Sequence, residues 1–449
     1  MRKGNRILSG LLALVMAAVM LLCPAAAISY EPDFTPTSKA VYLENLDTGL
    51  ILYEKNADEK MYPASLTKIM TAIVVLENVK DLDGETAEYP MWIQNMLYGT
   101  NASLGGLIVG EELTIRQLLT SALVQSGNES AMILAGYVGS GGMADFMPRD
   151  ITTFVEMMND KAKALGCTGT HFTNPTGLHS DNTYTTARDM AIMAKYAMQK
   201  SAFSSIVKNY AVQLGQTNKH ADLWQYSTNK MLLTSSPYYY APVVGIKTGS
   251  TDEAGRCVIS QAEDSGYHYF CVVMGSPVTA AEPYQNFIET RQLYRWAFGN
   301  FSLRTLLEQG ELMAEVPVKY SGDGKVAKLA IKEDVVQLLR DDISLDSIIY
   351  KAELPEFVEA PIAAGDTVGK MHIMLMGEEI GTVELVATQA FSLSWFRKAL
   401  GTIGSLLSST VAKVIFIVVV LAIAGYIVYA VRHNKKRKKR RSKYSDRNY

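Results

Sequence analysis

The chain has 449 residues, of which 48% are hydrophobic and 20% charged, so it is neither a disordered chain nor a small disulfide-rich protein. Its length suggests two or three domains. The net charge of −2 is the sum of two basic ends and an acidic region between them, since residues 28–431 carry 30 basic and 44 acidic side chains. Because the positive charge lies at the ends of the chain, we expect no nucleic acid as a partner.

The first 27 residues are typical of a secretory signal peptide. Three basic residues precede an apolar run, Leu11–Leu22, and the small residues Ala25–Ala27 follow it. A helix that crosses a bilayer needs about 20 residues, so this run is short for a retained anchor. The pattern therefore predicts cleavage near Ala27 and export of the remaining chain.

The next part of the chain has strands at both ends and helices between them. The sequence predicts a hairpin over residues 40–55, a buried helix over 64–79, and strands at Val243–Ile246, Cys257–Ile259 and Tyr269–Met274. Further helices are predicted at Thr114–Thr120, Glu129–Val138, Phe154–Leu165, Ala187–Gln199 and Phe287–Phe298. This order predicts an α+β domain whose antiparallel sheet joins strands distant in sequence.

Three cysteines remain after cleavage of the signal peptide, and an odd number permits at most one disulfide between them. A turn at Glu263–Gly266 would place Cys257 opposite Cys271 in a hairpin. Cross-strand disulfides need demanding geometry, so the sequence favours buried free thiols but leaves the bridge open.

The region after Arg304 is predicted to form an all-β domain with no chemistry of its own. Its strands are predicted at Glu311–Lys319, Lys325–Ile331, Val335–Leu339, Ser347–Glu353, Val368–Met376 and Gly381–Ala387.

The C-terminal end is typical of a membrane anchor. Val414–Val431 is an uncharged apolar run of about 27 Å as a helix, which is close to the thickness of the hydrocarbon layer. The ten basic residues after it predict a cytoplasmic tail and an extracytoplasmic body. An aromatic and basic stretch before it, over 389–410, is predicted to lie at the membrane interface or to form a solvated linker.

The sequence lacks the motifs HExxH, CxxC, GxxxxGK[ST] and GxSxG, and its six histidines are scattered. It therefore gives little support for a metalloenzyme, an NTPase or a Ser-His-Asp hydrolase.

The first motif with chemistry is Ser65-Leu66-Thr67-Lys68, at the start of the predicted buried helix. Positions three apart share a helix face, so Lys68 can reach the Ser65 hydroxyl. A lysine can take the proton of that hydroxyl if burial and nearby cations lower the lysine pKa. Serine is also a common helix N-cap, so the motif is weak in isolation.

Two further motifs follow in the order that such chemistry requires. Ser126-Gly127-Asn128 offers a hydroxyl that can relay a proton and an amide that can donate and accept hydrogen bonds. Lys247-Thr248-Gly249 lies near the end of a predicted strand, where Lys247 and Thr248 can hold a carboxylate and Gly249 lets a ligand approach the backbone. A helix cap and an edge strand protected by lysine are the alternative interpretations. Together the three motifs indicate catalysis.

These motifs resemble those of penicillin-binding proteins and serine β-lactamases, and the chain is most similar to the low-molecular-mass D-alanyl-D-alanine carboxypeptidases. The resemblance covers about 260 residues and runs through Pro63–Lys68, Ser126–Asn128, Phe154–Gly166, Phe172–Leu178, Thr185–Ala191 and Lys247–Gly249. One departure is Thr176, where the family often has histidine; His179 lies nearby.

The resemblance implies a fold and a domain organisation. The fold is an antiparallel sheet with helices on both sides, followed by a small all-β domain and a C-terminal transmembrane helix. The expected segments are a signal peptide (1–27), a catalytic domain (28–304), a β-rich domain (305–388), a juxtamembrane linker (389–410), a transmembrane helix (411–431) and a basic tail (432–449).

The resemblance also implies an acyl-enzyme mechanism on peptidoglycan stem peptides that end in D-Ala-D-Ala, without a metal or organic cofactor. Ser65 would attack, Lys68 would act as base and Ser126 would pass the proton to the leaving D-alanine. The backbone N–H groups of Ser65 and Ser250 would form the oxyanion hole. Lys247 and Thr248 would bind the terminal carboxylate of the substrate, and Asn128 would bind its peptide amide. β-Lactams would acylate Ser65.

Other activities can use the same residues. The common class A β-lactamases have Asp at the position of Gly127 and a Glu-x-x-x-Asn loop, and this chain has neither pattern in place. A transpeptidase, an endopeptidase or a β-lactam sensor remains open as an alternative. A sensor would differ from an enzyme in that it would stay in the acyl-enzyme form, so its rate of acyl release distinguishes it.

Overall fold

The computed structural model describes residues 30–400 and 410–445; the predicted signal peptide lies outside these ranges. The described chain divides into two compact units. The first comprises residues 30–302 together with Leu338–Ile343, and the second comprises Leu303–Gln337 and the residues from Ser344 onward.

The first unit is built on a five-stranded antiparallel sheet. The strands of this unit are β1 (Ala40–Asn45), β2 (Ile51–Lys55), β3 (Thr86–Glu88), β4 (Glu112–Thr114), β5 (Ala211–Gln213), β6 (Trp224–Tyr226), β7 (Lys247–Thr251), β8 (Gly255–Asp264) and β9 (Tyr267–Ser276); β3 pairs with β4 and β5 with β6 in two separate small sheets. The central sheet has the order β2-β1-β9-β8-β7, so β1 pairs with a strand more than 200 residues away in sequence. The predicted hairpin and the predicted antiparallel sheet are confirmed.

Helices cover both faces of this sheet. They are α1 (Lys68–Asn78), α2 (Met91–Leu97), α3 (Ile115–Thr120), α4 (Asn128–Gly139), α5 (Pro148–Ala164), α6 (Ala187–Met198), α7 (Ser201–Val207) and α8 (Gln285–Asn300). Lys195 of α6 forms an ion pair with Glu44 of β1 on one face. On the other face the Tyr294 hydroxyl of α8 donates to the Ser260 carbonyl of β8 at 2.7 Å. Since successive strand side chains point to opposite faces, α6 and α8 enclose the sheet between them.

Several helices differ from the predicted boundaries. Helix α5 begins six residues earlier than expected, because the Asp150 carboxylate accepts from the Met147 N–H and Pro148 occupies the first helical turn. Helices α2 and α7 have only seven residues each, which is too short to give a clear apolar period.

The buried helix predicted over residues 64–79 is confirmed, with one correction at its start. Its residues 68–75 are all buried. The first residues, Ala64–Thr67, form a separate 3-10 turn, so Ser65 lies just before α1 rather than within it.

The strand predicted at Val243–Ile246 is wrong: β7 begins at Lys247, immediately after it. Residues 243–246 still bond to β8 through the N–H groups of Val244 and Ile246, but Gly245 has a φ of +76° that interrupts the extended conformation. The Lys-Thr-Gly motif therefore opens the edge strand instead of ending it.

The cysteines are free and buried, as the sequence favours. The hairpin of β8 and β9 turns at Ser265-Gly266, whereas a turn centred on residue 264 would be needed to place the two cysteines opposite each other. Cys271 consequently pairs with Ser260, whereas Cys257 pairs with Gly249 of β7.

The second unit consists mainly of strands. They are β10 (Phe301–Leu307), β11 (Leu312–Lys319), β12 (Val326–Ile331), β13 (Val335–Arg340), β14 (Ile348–Glu353), β15 (Val358–Glu359), β16 (Thr367–Leu375) and β17 (Glu378–Ala387), of which the ends of β10 and β13 belong to the first unit. Six of them form a sheet in the order β14-β16-β17-β12-β11-β15. All six predicted strands are confirmed; β10 and β15 were not predicted.

The C-terminal helix α9 spans Thr410–Ser445. Within its segment Lys413–Lys435, the most apolar 18-residue stretch has a mean hydropathy of 2.9, and none of that stretch is buried. Its length and composition suffice to cross a membrane. Residues 395–400 are also helical, and Trp395 and Phe396 there are exposed.

Candidate active site

The turn that carries Ser65 is held by close contacts with two glycines. A side-chain carbon on Gly177 would lie 1.8 Å from the Ala64 carbonyl oxygen, and one on Gly249 would lie 3.2 Å from the Ser65 nitrogen. Only glycine therefore allows the Gly177 loop and strand β7 to pack so closely against this turn. Both contacts fix the position of Ser65.

The Lys68 ammonium nitrogen lies at the bottom of the site and has three partners. Nζ is 3.0 Å from the Ser65 Oγ, 2.8 Å from the Asn128 Oδ1 and 2.7 Å from the Thr176 carbonyl oxygen. The side chain is completely buried. Two of the three partners only accept hydrogen bonds, and the third is a hydroxyl that can also donate. A protonated lysine can donate to all three partners, and a neutral amine can donate to the two carbonyl oxygens and accept from the hydroxyl.

The charge state of Lys68 is set by its surroundings. Burial lowers the pKa of Lys68 well below its usual value, and the positive charge of Lys247 lowers it further. The carboxylate of Glu129 acts in the opposite direction. Burial in turn raises the pKa of Glu129, and its Oε2 has no hydrogen-bond partner within the described residues. The net effect favours an unprotonated Lys68.

The Ser126-Gly127-Asn128 turn connects a π-helical turn, Ser121–Gln125, to α4. Ser126 itself has a φ of +66° and is almost fully buried. The Asn128 side chain accepts from Lys68 and donates through Nδ2 to the Ser103 carbonyl at 3.0 Å. Both ends of this amide are thus bonded within the protein, and its contact with a substrate amide stays a prediction.

Strand β7 forms the opposite wall. Lys247 is buried and its Nζ donates to the Thr248 carbonyl at 3.1 Å. Burial lowers the pKa of Lys247 to about 7. The Thr248 hydroxyl lies 2.5 Å from the hydroxyl of Thr228, a residue that the sequence motifs do not identify.

A cavity of about 290 Å³ opens between these walls. Five of the predicted site residues line it: Ser65, Ser126, Thr248, Gly249 and Ser250. Lys68, Asn128 and Lys247 lie behind them, away from the lining. The lining also includes residues that sequence reasoning missed, because they belong to no motif and come from separate elements: Ser103, Thr228, Lys230, Arg256, Tyr284 and Asn286.

Residue 176, where the chain has threonine instead of the family's frequent histidine, contacts the site through its backbone. Thr176 contacts Lys68 through its backbone carbonyl, while its hydroxyl donates to the Asn174 Oδ1. His179 does not replace it: the His179 ring packs edge-on against Tyr62 at 4.9 Å and lies near Asp181 and Glu253. The contact with Lys68 is therefore independent of the side chain at position 176.

Among residues 30–400 and 410–445, no group of three or more His, Cys, Asp or Glu side chains is arranged to hold a metal ion.

Comparisons with known proteins match both units. Residues 27–278 match the family of D-alanyl-D-alanine carboxypeptidases, and residues 301–392 match the C-terminal domain of penicillin-binding protein 5. The D-alanyl-D-alanine carboxypeptidase DacF of Bacillus subtilis is 29% identical over 396 residues, which cover 86% of this chain and 95% of that protein.

Two solved structures illustrate the similarity. Penicillin-binding protein 5 from Haemophilus influenzae has a TM-score of 0.60 at 26% identity, covering 81% of this chain and 100% of that one. The DD-transpeptidase of Streptomyces K15 has a TM-score of 0.54 at 30% identity, covering 59% of this chain and 98% of that one.

Proposed function

Because the chain belongs to the family of D-alanyl-D-alanine carboxypeptidases, we propose that Ser65 is the nucleophile that removes the terminal D-alanine from its substrates. The family consists of serine peptidases that act on peptidoglycan peptides ending in D-Ala-D-Ala and bind β-lactams. The observation that supports Ser65 most directly is the 3.0 Å contact between its Oγ and the buried Lys68 Nζ.

The contacts suggest the order of proton transfers. Two carbonyl oxygens occupy the N–H bonds of a neutral Lys68, so its lone pair faces the Ser65 hydroxyl and can take that proton as Oγ attacks the carbonyl carbon. Ser126, on the same cavity, would pass a proton to the nitrogen of the departing D-alanine as the C–N bond breaks. Water then hydrolyses the acyl-enzyme and regenerates Ser65.

The strand opposite Ser65 would hold the oxyanion and the substrate. Gly249 approaches the Ser65 nitrogen closely, so the next N–H along β7, that of Ser250, is suited to form an oxyanion hole with the N–H of Ser65. The Thr248 hydroxyl lines the cavity and is available to the terminal carboxylate, with Lys247 behind it.

Release of D-alanine tests this proposal. We expect the protein to release one D-alanine per peptide from a stem peptide ending in D-Ala-D-Ala, and Ser65→Ala to abolish the release. Ser205→Ala, at an exposed serine of α7, serves as the control and should behave as the wild type.

Two outcomes would contradict the proposal. Labelled penicillin attached to Ser65 without any release of D-alanine would favour a β-lactam sensor. Transfer of the acyl group to an added amine, in place of hydrolysis, would favour a transpeptidase, the activity for which the Streptomyces K15 protein is named.

The proposed setting is the outer face of a bacterial membrane. Cleavage after residue 27 would export the chain, residues 28–304 and 305–388 would form the catalytic and β-rich domains, and 389–410 would lead to a transmembrane helix at 411–431. The apolar stretch of α9 is compatible with such an anchor. The basic residues 432–449 would then remain in the cytoplasm.

A further inference from the structure

Glu129 is a buried carboxylate beside the Ser126-Gly127-Asn128 motif that the proposed proton transfers do not use. It is the second residue of α4 and is 1% exposed. Its Oε1 accepts from the Gly105 N–H at 2.5 Å, whereas its Oε2 has no hydrogen-bond partner within the described residues. A buried carboxylate with an open oxygen is costly for the stability of a fold. Such a cost is typical of residues that serve function.

The partner of Glu129 lies in an irregular segment, residues 103–107, between α2 and β4. Gly105 is fixed in this segment from three sides. Its N–H binds Glu129, its carbonyl accepts from the Gln225 Nε2 at 3.0 Å, and a side-chain carbon on it would lie 2.1 Å from the Ser121 Oγ. A hydrogen bond to a carboxylate is stronger than one between neutral groups, so Glu129 makes the stronger of the two polar contacts.

Ser103, two residues before Gly105, joins this segment to the catalytic residues. Its carbonyl accepts from the Asn128 backbone N–H at 2.9 Å and from the Asn128 Nδ2 at 3.0 Å. With Nδ2 bound in this way, the amide turns its Oδ1 toward Lys68, 2.8 Å from the Nζ. The position of the Ser103 carbonyl thus determines which end of the amide faces the lysine.

The orientation of this amide matters for a lysine that acts as a base. An oxygen that faces Lys68 takes up one of its N–H bonds and leaves the lone pair for the Ser65 proton. An NH2 group in the same place would donate to that lone pair or repel the ammonium form. A rotated Asn128 would therefore slow proton transfer from Ser65 without removing any residue of the site.

We propose that Glu129 is a positioning residue that keeps the oxygen of the Asn128 amide toward Lys68. It does so by holding the Gly105 N–H and with it the Ser103 carbonyl that binds the amide nitrogen. The inference rests on the proposed function, in which this lysine is the base. The task needs an acceptor oxygen and the length of the glutamate side chain, rather than its charge.

The charge of Glu129 has a separate effect. Burial and the charge of Lys247 lower the pKa of Lys68, and Glu129 acts against them. Without this charge the pKa of Lys68 falls further, so the decline of acylation in acid should move to lower pH. Burial raises the pKa of Tyr89, which also senses this charge, to about 12, outside the range of the test. Positioning acts instead on the rate at high pH, where the lysine is neutral in every variant.

The test measures the rate of labelled penicillin attachment to Ser65 of the full-length protein from about pH 5 to about pH 9. Glu129→Gln keeps the acceptor oxygen and the length but loses the charge. Glu129→Asp keeps the charge but is one methylene shorter, and Glu129→Ala lacks both. The control is Glu289→Ala, at another glutamate that is 1% exposed; it binds the N–H groups of Thr37 and Ser38, which do not line the cavity.

We expect Glu129→Ala and Glu129→Asp to lower the rate at high pH by about tenfold, the effect of losing one hydrogen bond to a charged group. Glu129→Gln should keep most of that rate, and the decline in acid should move to lower pH in the Gln and Ala variants. Glu289→Ala should keep the wild-type rate even where its melting curve shows lost stability. An equal loss of rate in this control would mean that Glu129 acts through stability alone and would overturn the inference.

A double-mutant cycle tests whether Glu129 acts through Asn128. In an Asn128→Ala background there is no amide to orient, so Glu129→Ala should add little further loss. Additive losses would contradict the inference, and so would a folded Glu129→Ala variant with the wild-type rate at high pH. If Glu129→Ala does not fold, the other two variants decide, because an Asp variant as fast as the Gln variant excludes the role of length. Failure of the proposed function is a different result: the wild type would be labelled at Ser65 but would release no D-alanine.

Discussion

At the scale of single residues, the decisive feature is a lysine whose pKa is lowered by burial. Lys68 has two acceptors and one hydroxyl around its nitrogen, and Lys247 adds a second positive charge that disfavours its protonation. Both effects lower the pKa of Lys68. The pattern Ser-x-x-Lys predicts the pairing, but only the depth of burial lowers the lysine pKa and so favours the neutral amine, the form that can accept a proton.

The direction of this pKa shift predicts how acylation depends on pH. A protonated Lys68 cannot accept the Ser65 proton, so the rate should fall as the pH is lowered through the depressed pKa and level off above it. The measurement is the rate of labelled penicillin attachment to Ser65 from about pH 5 to about pH 9.

Lys68→Arg is the control for this pH dependence, since its guanidinium stays charged throughout the range. It should acylate slowly at every pH and lack the acidic limb. An acidic limb of wild-type size in this variant would show that another group accepts the proton.

At the scale of elements, catalysis depends on how closely a loop and a strand approach the turn before α1. The Gly177 loop touches the Ala64 carbonyl, and it also carries the Thr176 carbonyl that binds Lys68. Thr71 of α1 donates to the Pro175 carbonyl of the same loop at 2.7 Å. The loop thus positions both the nucleophile and the base.

Gly177→Ala tests this packing. Gly177 has a φ of +80° and its side-chain carbon would collide with the Ala64 carbonyl, whereas Gly215, with a φ of +85°, has open space around it. We expect Gly215→Ala to cost about 1 kcal/mol through backbone strain alone. Gly177→Ala should destabilise the fold more and slow acylation, as melting curves and penicillin labelling can show.

Equal effects of the two substitutions on stability and acylation would contradict this role of the loop. They would mean that the turn can shift away from the added carbon without disturbing Ser65. The comparison is matched because both sites have the same backbone conformation.

The elements also show where local patterns mislead. The apolar run Val243–Ile246 has the composition of a strand, but the positive φ of Gly245 ends its regular conformation and β7 starts one residue after the run. Likewise, Cys257 would lie opposite Cys271 only if the turn were centred on residue 264, whereas the hairpin turns at Ser265-Gly266. Neither backbone feature follows from the residue types alone.

At the scale of the whole molecule, charge and hydropathy divide the chain into parts with different surroundings. Residues 28–431 are acidic, and ten basic residues follow them. The exposed apolar surface of Lys413–Lys435 lies where these two regions meet. Such a surface is unfavourable in water and favourable in a lipid bilayer.

Removal of residues 411–449 tests the anchor. We expect the full-length protein to fractionate with membranes and to resist extraction by carbonate at high pH. The shortened protein should be soluble and should acylate with labelled penicillin at the wild-type rate, because the residues of the Ser65 cavity all precede position 300. A shortened protein that still fractionates with membranes would place the attachment elsewhere, for instance at residues 389–400.

Residue type and local periodicity suffice to predict the three motifs, the α+β and all-β regions and the apolar C-terminal segment. They do not identify Thr228, Lys230, Arg256 or the Thr176 carbonyl as parts of the site. Thr228, Lys230 and Arg256 belong to no motif, and the Thr176 carbonyl is a backbone group, which has no signature in residue type. Only the tertiary structure brings them to Ser65, because the close packing of its loop, turn and edge strand depends on contacts between residues far apart in the chain.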